Sequence, residues 1–148
     1  MNSSYKNDDV IFLLKDVTGC VKPLPSVERE KLIQSGKHYS EMLPIEYVPT
    51  DEYMEIYFDS FKVFGQKMAD ALASLAYKVI EKRGKNVVLV SLARAGTPIG
   101  ILLKRYIKWK YETDVLHYSI SIIRDRGIDD NAMKYILARH DAKDILFV

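Results

Sequence analysis

Residues 86–98 read NVVLVSLARAGTP, and this stretch decides the fold. Its first seven residues, NVVLVSL, are apolar and β-branched but do not alternate with polar ones. A strand that is apolar on both sides is covered on both faces, which is the condition of a parallel sheet. Ala93, Arg94, Ala95, Gly96 and Thr97 then make a tight connection. Pro98 to about Trp109 reads as a helix, with Thr97 as its cap and Pro98 at its first position. Downstream the pattern repeats. Residues 114–123 (DVLHYSISII) read as a second strand, 124–128 (RDRGI) as a polar loop, 129–140 as a helix, and 144–148 (DILFV) as a third strand. Strand, helix, strand, helix, strand argues for an α/β domain with a parallel core.

Upstream, a helix is predicted from Thr50 or Asp51 to about Arg83, with Gly65 marking either a break in it or a close approach. Met54, Phe58, Phe61, Met68, Leu72, Leu75 and Val79 recur at spacings of three, four and seven, which reads as one buried stripe. Gly84 supplies its stop. Ser26 can cap a short helix over 27–35 that Gly36 ends. Residues 9–14 (DVIFLL) are strand-like, whereas 17–25 and 37–50 read as irregular because Gly19, Pro23, Pro25, Pro44 and Pro49 interrupt them. The division expected is a hood-like segment over 1–50 and the α/β part over 51–148, together one incomplete domain.

The 148 residues fit a single domain, and 48% apolar with 28% charged residues excludes a disordered chain. There is no run of 18 apolar residues, and the first ten residues, MNSSYKNDDV, do not make a signal peptide. One cysteine, Cys20, supports neither a disulfide framework nor a multi-cysteine zinc site, so a reducing cytoplasm is the expected compartment. The formal charge of +2 is unevenly spread. Residues 1–84 carry 11 Lys/Arg against 13 Asp/Glu, and 85–148 carry 11 against 7, so the second half is the more favourable place for an anion.

Within that half, the turn at 92–98 is the first candidate. Ligands of open α/β sheets gather at the carboxyl ends of strands, and a helix N-terminus offers unpaired N–H groups to phosphate. Gly96 lets the backbone approach an anion, and Arg94 adds charge. The competing reading is an ordinary strand–helix turn with a surface arginine. His38, Tyr39 and Glu41 form a polar cluster able to read an acceptor base or amine, or else a structural one that pins the loop by hydrogen bonds. His117, Ser119 and Ser121 share one face of their strand by its period of two, and a lone histidine there reads as a satisfied, half-buried residue. His140 falls near a helix C-terminus, where capping suffices. Neither His117 nor His140 has a second His, Cys or carboxylate at metal-ligand spacing, so no structural metal is expected. Lys104, Arg105, Lys108 and Lys110 beside Trp109 read as a solvated helix end rather than a nucleic-acid surface.

The segments VVLVSLARAGTPIG, SGKHYSEMLPIEY and HYSISIIRDRGID carry a resemblance. The first looks like the pyrophosphate loop of type I phosphoribosyltransferases. Together they resemble a bacterial phosphoribosyltransferase-like family found beside tellurium-resistance (ter) stress genes, related proteins of which also bear the label cysteine protease StiP. The resemblance runs from about Phe12 to Val148. It implies a Rossmann-like parallel sheet cut after its third core strand, with an N-terminal hood. Ala93, Arg94, Ala95, Gly96 and Thr97 would hold the pyrophosphate of phosphoribosyl pyrophosphate. Arg124 and Arg126 would close over it as the cations of catalysis, with Mg²⁺ entering on the pyrophosphate. His38, Tyr39 and Glu41 would face the acceptor. The resemblance also implies an acidic, Thr/Gly-rich 5′-phosphate loop next, which lies outside these 148 residues, so the chain alone should bind the ligand poorly. A longer protein, a complementing C-terminal segment or a homodimer would complete it. Two other functions stand beside this one. One is a cysteine hydrolase with Cys20 as nucleophile and His38 as base; the other is a non-catalytic nucleotide or ribose-phosphate-binding module. No membrane and no specific nucleic acid is expected as a partner.

Overall fold

The computed structural model describes residues 3–148. In chain order its elements are β1 (Ile11–Phe12), β2 (Pro23–Leu24), α1 (Ser26–Gln34), β3 (Leu43–Pro44), α2 (Asp51–Arg83), β4 (Val88–Ala93), α3 (Gly96–Tyr111), β5 (Leu116–Ile123), β6 (Gly127–Ile128), α4 (Asp130–Leu137) and β7 (Ile145–Phe147). Short 3₁₀ turns occupy Tyr39–Glu41 and Ala142–Asp144. Two compact units emerge, one of residues 3–14 with Phe64–Val148 and one of Lys15–Val63.

The larger unit holds the sheet. Its order is β1-β5-β4-β7, all parallel, and β6 pairs antiparallel with β5. Neighbouring β4 residues point to opposite faces. Val87 and Leu89 join Ala76 and Val79 of α2, Leu103 and Ile107 of α3, and Val115 in one core cluster. Val88 and Val90 join Tyr118, Ile120, Ile145, and Ala132 and Ile136 of α4 in the other. Both faces of the central strand are therefore covered, which is why its sequence lacks alternation. Each fully buried Leu or Ile here contributes about 1.5–3 kcal/mol relative to exposure. The chain leaves β4 through α3 to reach β5 on one side, then passes through α4 to reach β7 on the other. The strand order therefore reverses at the carboxyl end of β4, where such sheets bind ligands.

Several expectations need correction. The α2 stripe is buried only near its C-terminal end. Ala76 and Val79 are its buried residues, Leu72 and Ile80 are partly covered, and Phe58, Phe61, Met68 and Leu75 are exposed. Within the larger unit, Ala76 and Val79 pack into the sheet core, with Leu72 and Ile80 against it. Ser26 begins α1 but does not cap it, since Pro25 holds the cap position and no side chain bonds there. Thr97 does not cap α3, because the helix starts one residue earlier and its hydroxyl turns inward. Residues 124–128 are not a simple loop. Asp125 and Gly127 take positive φ (64° and 92°), folding the chain back so that β6 pairs with β5. Segments read as irregular contribute a two-residue parallel pair, β2 with β3. Of residues 9–14 only Ile11 and Phe12 pair as strand, and α4 ends at Leu137 rather than His140.

Candidate anion-binding loop

The connection from β4 to α3 is built from below. At its base lies Ser91, wholly buried on β4. Its Oγ donates to the Gly96 carbonyl at 2.9 Å and lies 2.7 Å from His117 Nε2 on β5. His117 Nδ1 sits 3.0 Å from the main-chain carbonyl of Asp9. A carbonyl only accepts, so Nδ1 carries the hydrogen. The Asp9 carboxylate is held in turn by Arg105 of α3, Nε at 2.7 Å and a terminal nitrogen at 2.6 Å. That guanidinium keeps the Asp9 carboxyl below its ordinary value, against the opposing effect of burial. His117 is buried, and loss of water holds its imidazole below the ordinary histidine range. The Asp9 carbonyl opposes that shift and Lys104 adds to it.

Two glycines let these parts meet. A side chain at Gly100 would run into Ser91 Oγ and His117 Nε2, and one at Gly96 would run into the carbonyl of Val148. Leu92 N–H donates to that same carbonyl, and Val148 N–H to Val90, so β7 borders the loop. Thr97 Oγ1 lies 2.8 Å from Ser119 Oγ inside the sheet. With Thr97 turned away, Ala95 holds the cap position of α3 with no side-chain hydrogen bond. The Ala93–Arg94 peptide is cis, and Thr97 N–H donates to Arg94 O at 3.2 Å.

Above this base the loop faces outward. Arg94 and Ala95 are exposed. Ala93 is the register partner of Ser121, so the hairpin that follows β5 rises beside the loop. Arg124 and Arg126 on that hairpin are exposed as well. The fold therefore brings Arg94, Gly96, Thr97, Arg124 and Arg126 to the carboxyl end of two adjacent strands. A cavity of about 210 Å³ lies against the hairpin, lined by Ser121, Ile123, Arg126, Gly127, Ile128 and Asp129. Main-chain N–H groups and guanidinium groups bind anions and ligate no cation.

His38, Tyr39 and Glu41 lie in the smaller unit. His38 Nδ1 is 2.8 Å from Ser40 Oγ and accepts from Ser40 N–H, so it caps the 3₁₀ turn, and its ring packs on Tyr39 at 4.6 Å. Cys20 is exposed in a turn whose N–H bonds to Val17 O, and among the described residues its thiol has no hydrogen bond to a histidine. His140 does not cap a helix; its Nε2 lies 3.0 Å from Tyr118 OH. On the basic helix end, Lys104 and Lys108 both pair with Asp114, and Arg105 pairs with Asp9. Asp9, Ser91 and Gly100 escaped the sequence reading. Only Gly100 carried a signal: a glycine inside a helix costs about 1 kcal/mol against alanine and implies close packing.

Comparison with known proteins gives a family but no fold neighbour. Residues 3–148 match the family described as "Tellurite-like stress resistance cysteine protease StiP". A curated relative from Acinetobacter baylyi, named "Cysteine protease StiP", is 41% identical over 148 residues. The match covers 99% of this chain but 38% of that relative. No solved structure matches the chain.

Proposed function

The chain belongs to the StiP family, and from that premise we propose that its β4–α3 loop binds the pyrophosphate of a ribose-phosphate ligand such as phosphoribosyl pyrophosphate. One observation carries the reading: α3 opens at the carboxyl end of the central strand without a side-chain cap, between Arg94 and a hairpin bearing Arg124 and Arg126. Uncapped N–H groups and three guanidinium groups suit a diphosphate. Mg²⁺ would come in on the ligand's own oxygens and there neutralise part of its charge. In a transfer reaction the bond from C1 of the ribose to pyrophosphate breaks, and its electron pair leaves on the pyrophosphate. An acceptor nitrogen forms the new bond to C1 and gives up a proton. Arg124 and Arg126 would stabilise the departing charge and exclude water. Without turnover, the same loop would serve a regulatory ligand-binding module.

Titrating Mg²⁺-pyrophosphate calorimetrically into the protein tests this. Arg94→Ala and Gly96→Val should each weaken binding by roughly tenfold or more. Binding that survives both changes removes the loop from the site.

The family description and the relative's name favour a second reading over phosphoribosyl transfer: a cysteine protease. Within these residues Cys20 would be the nucleophile, and its exposure supports access. A catalytic thiolate needs an activating neighbour. If the protein is a protease through Cys20, a thiol-directed probe should label it at neutral pH faster than a free cysteine, and Cys20→Ser should abolish peptide hydrolysis while Arg94→Ala leaves it intact.

A further inference from the structure

Beneath the anion loop lies a chain of three groups from distant parts of the sequence: the Asp9 carbonyl, the His117 imidazole and the Ser91 hydroxyl, ending on the Gly96 carbonyl. We propose that Ser91 and His117 are positioning residues for the loop, fixing the Gly96 carbonyl, and with it the first turn of α3, from inside the sheet. The inference rests on the anion-loop reading only for its functional consequence.

Proton counting supports it. Nδ1 donates to Asp9, so a neutral imidazole offers Nε2 as an acceptor. Ser91 has one hydrogen and two acceptors within reach, Nε2 at 2.7 Å and Gly96 O at 2.9 Å. The hydroxyl must divide that hydrogen between them. When His117 gains a proton, Nε2–H donates to Ser91 Oγ, and the serine hydrogen passes wholly to Gly96. The tie on the loop therefore depends on the state of a histidine buried beneath it. Ser91 and His117 are both buried, so neither can serve as a nucleophile or base for an outside substrate. The groups around the imidazole are few. The segment before β1 supplies Asp9, whose carboxylate is held by Arg105; α3 supplies Lys104 and Arg105; β4 supplies the Ser91 hydroxyl. Gly100 of α3 leaves the space in which Oγ and Nε2 meet.

The test uses nuclear magnetic resonance on the whole, ligand-free chain, labelled to observe the His117 ring nitrogens and the Gly96 carbonyl carbon. At neutral pH, Ser91→Ala should shift the Gly96 carbonyl and the Nε2 signal together, leaving core amides such as that of Ile136 in place. On acidification of the wild type, the Gly96 carbonyl should follow His117 with the same midpoint, and in Ser91→Ala it should stop following. If His117 does not titrate before unfolding, the neutral-pH comparison decides alone. An unmoved Gly96 carbonyl in Ser91→Ala overturns the proposal, as does one that ignores a titrating His117. Should Ser91→Ala fail to fold, the wild-type titration decides, with Ser91→Gly as the second variant. In parallel, Ser91→Ala should weaken Mg²⁺-pyrophosphate binding by roughly tenfold. If the wild type binds no pyrophosphate, the anion reading falls while the resonance data still judge the relay. If it binds and Ser91→Ala binds equally well, the relay has no hold on the loop and the inference fails.

Discussion

Gly100 sits where a single methyl group has nowhere to go. A Cβ there would meet Ser91 Oγ and His117 Nε2, two groups locked into hydrogen bonds within the sheet. The usual gain of alanine over glycine in a helix, about 1 kcal/mol, is therefore outweighed by forced displacement. Gly100→Ala should destabilise the protein by about 1–3 kcal/mol, read as a lower urea midpoint with an unchanged slope. A stability equal to or above wild type would mean that the contact relaxes freely. At this scale the sequence was legible in part. Arg94 and Gly96 stand out by type and place, but Ser91 looks like any small residue in an apolar strand. Asp9 acts through its main chain at His117, which no residue type announces.

Among the elements, α2 shows how periodicity can be right about a helix and wrong about its burial. The predicted span, 51–83, is the span observed. The stripe from Met54 to Val79 promised one covered face, yet its buried residue is Val79, near the C-terminal end, while Phe58, Phe61 and Met68 are exposed. Period reports which residues share a side, and only tertiary packing decides what covers that side. Val79→Ala should accordingly cost roughly 2 kcal/mol, and Phe61→Ala less than about 0.5, in parallel thermal and urea unfolding. Equal costs would show that the exposed half of the stripe is packed after all. The hairpin after β5 was missed for a different reason. Its turn depends on positive φ at Asp125, a conformation aspartate tolerates without displaying it in a hydrophobic pattern.

For the molecule as a whole, the groups of the larger unit that titrate in the acid range and are shifted, His117, Asp9 and Asp114, all move in one direction. His117 lies below its ordinary value of 6.5, and Asp9 and Asp114 lie below 3.8, through burial for the first and through Arg105, Lys108 and Lys104 for the other two. In each case the unfolded chain binds the proton more readily, so stability present at neutral pH is lost on acidification. The urea midpoint should begin to fall below about pH 6.5 as His117 is called on to charge, and fall again below about pH 4 with the carboxylates. His117→Gln should flatten the first step and spare the second; an unaltered profile would assign that step elsewhere. The α/β class was readable because the strands at 88–93 and 116–123 are long and apolar. The relay beneath the loop was not, because residues 9, 91 and 117 meet only once the sheet has formed. That gives the site a place in time as well as in space. The ties from Asp9 span 96 residues to Arg105 and 108 to His117. Contacts of such separation carry the largest closure entropy and form after local structure. A chain whose first strand has not yet docked can already have its helices, yet it holds a loose loop and an unanchored histidine. On the pyrophosphate reading proposed above, competence to bind would arrive only with the docking of the first strand.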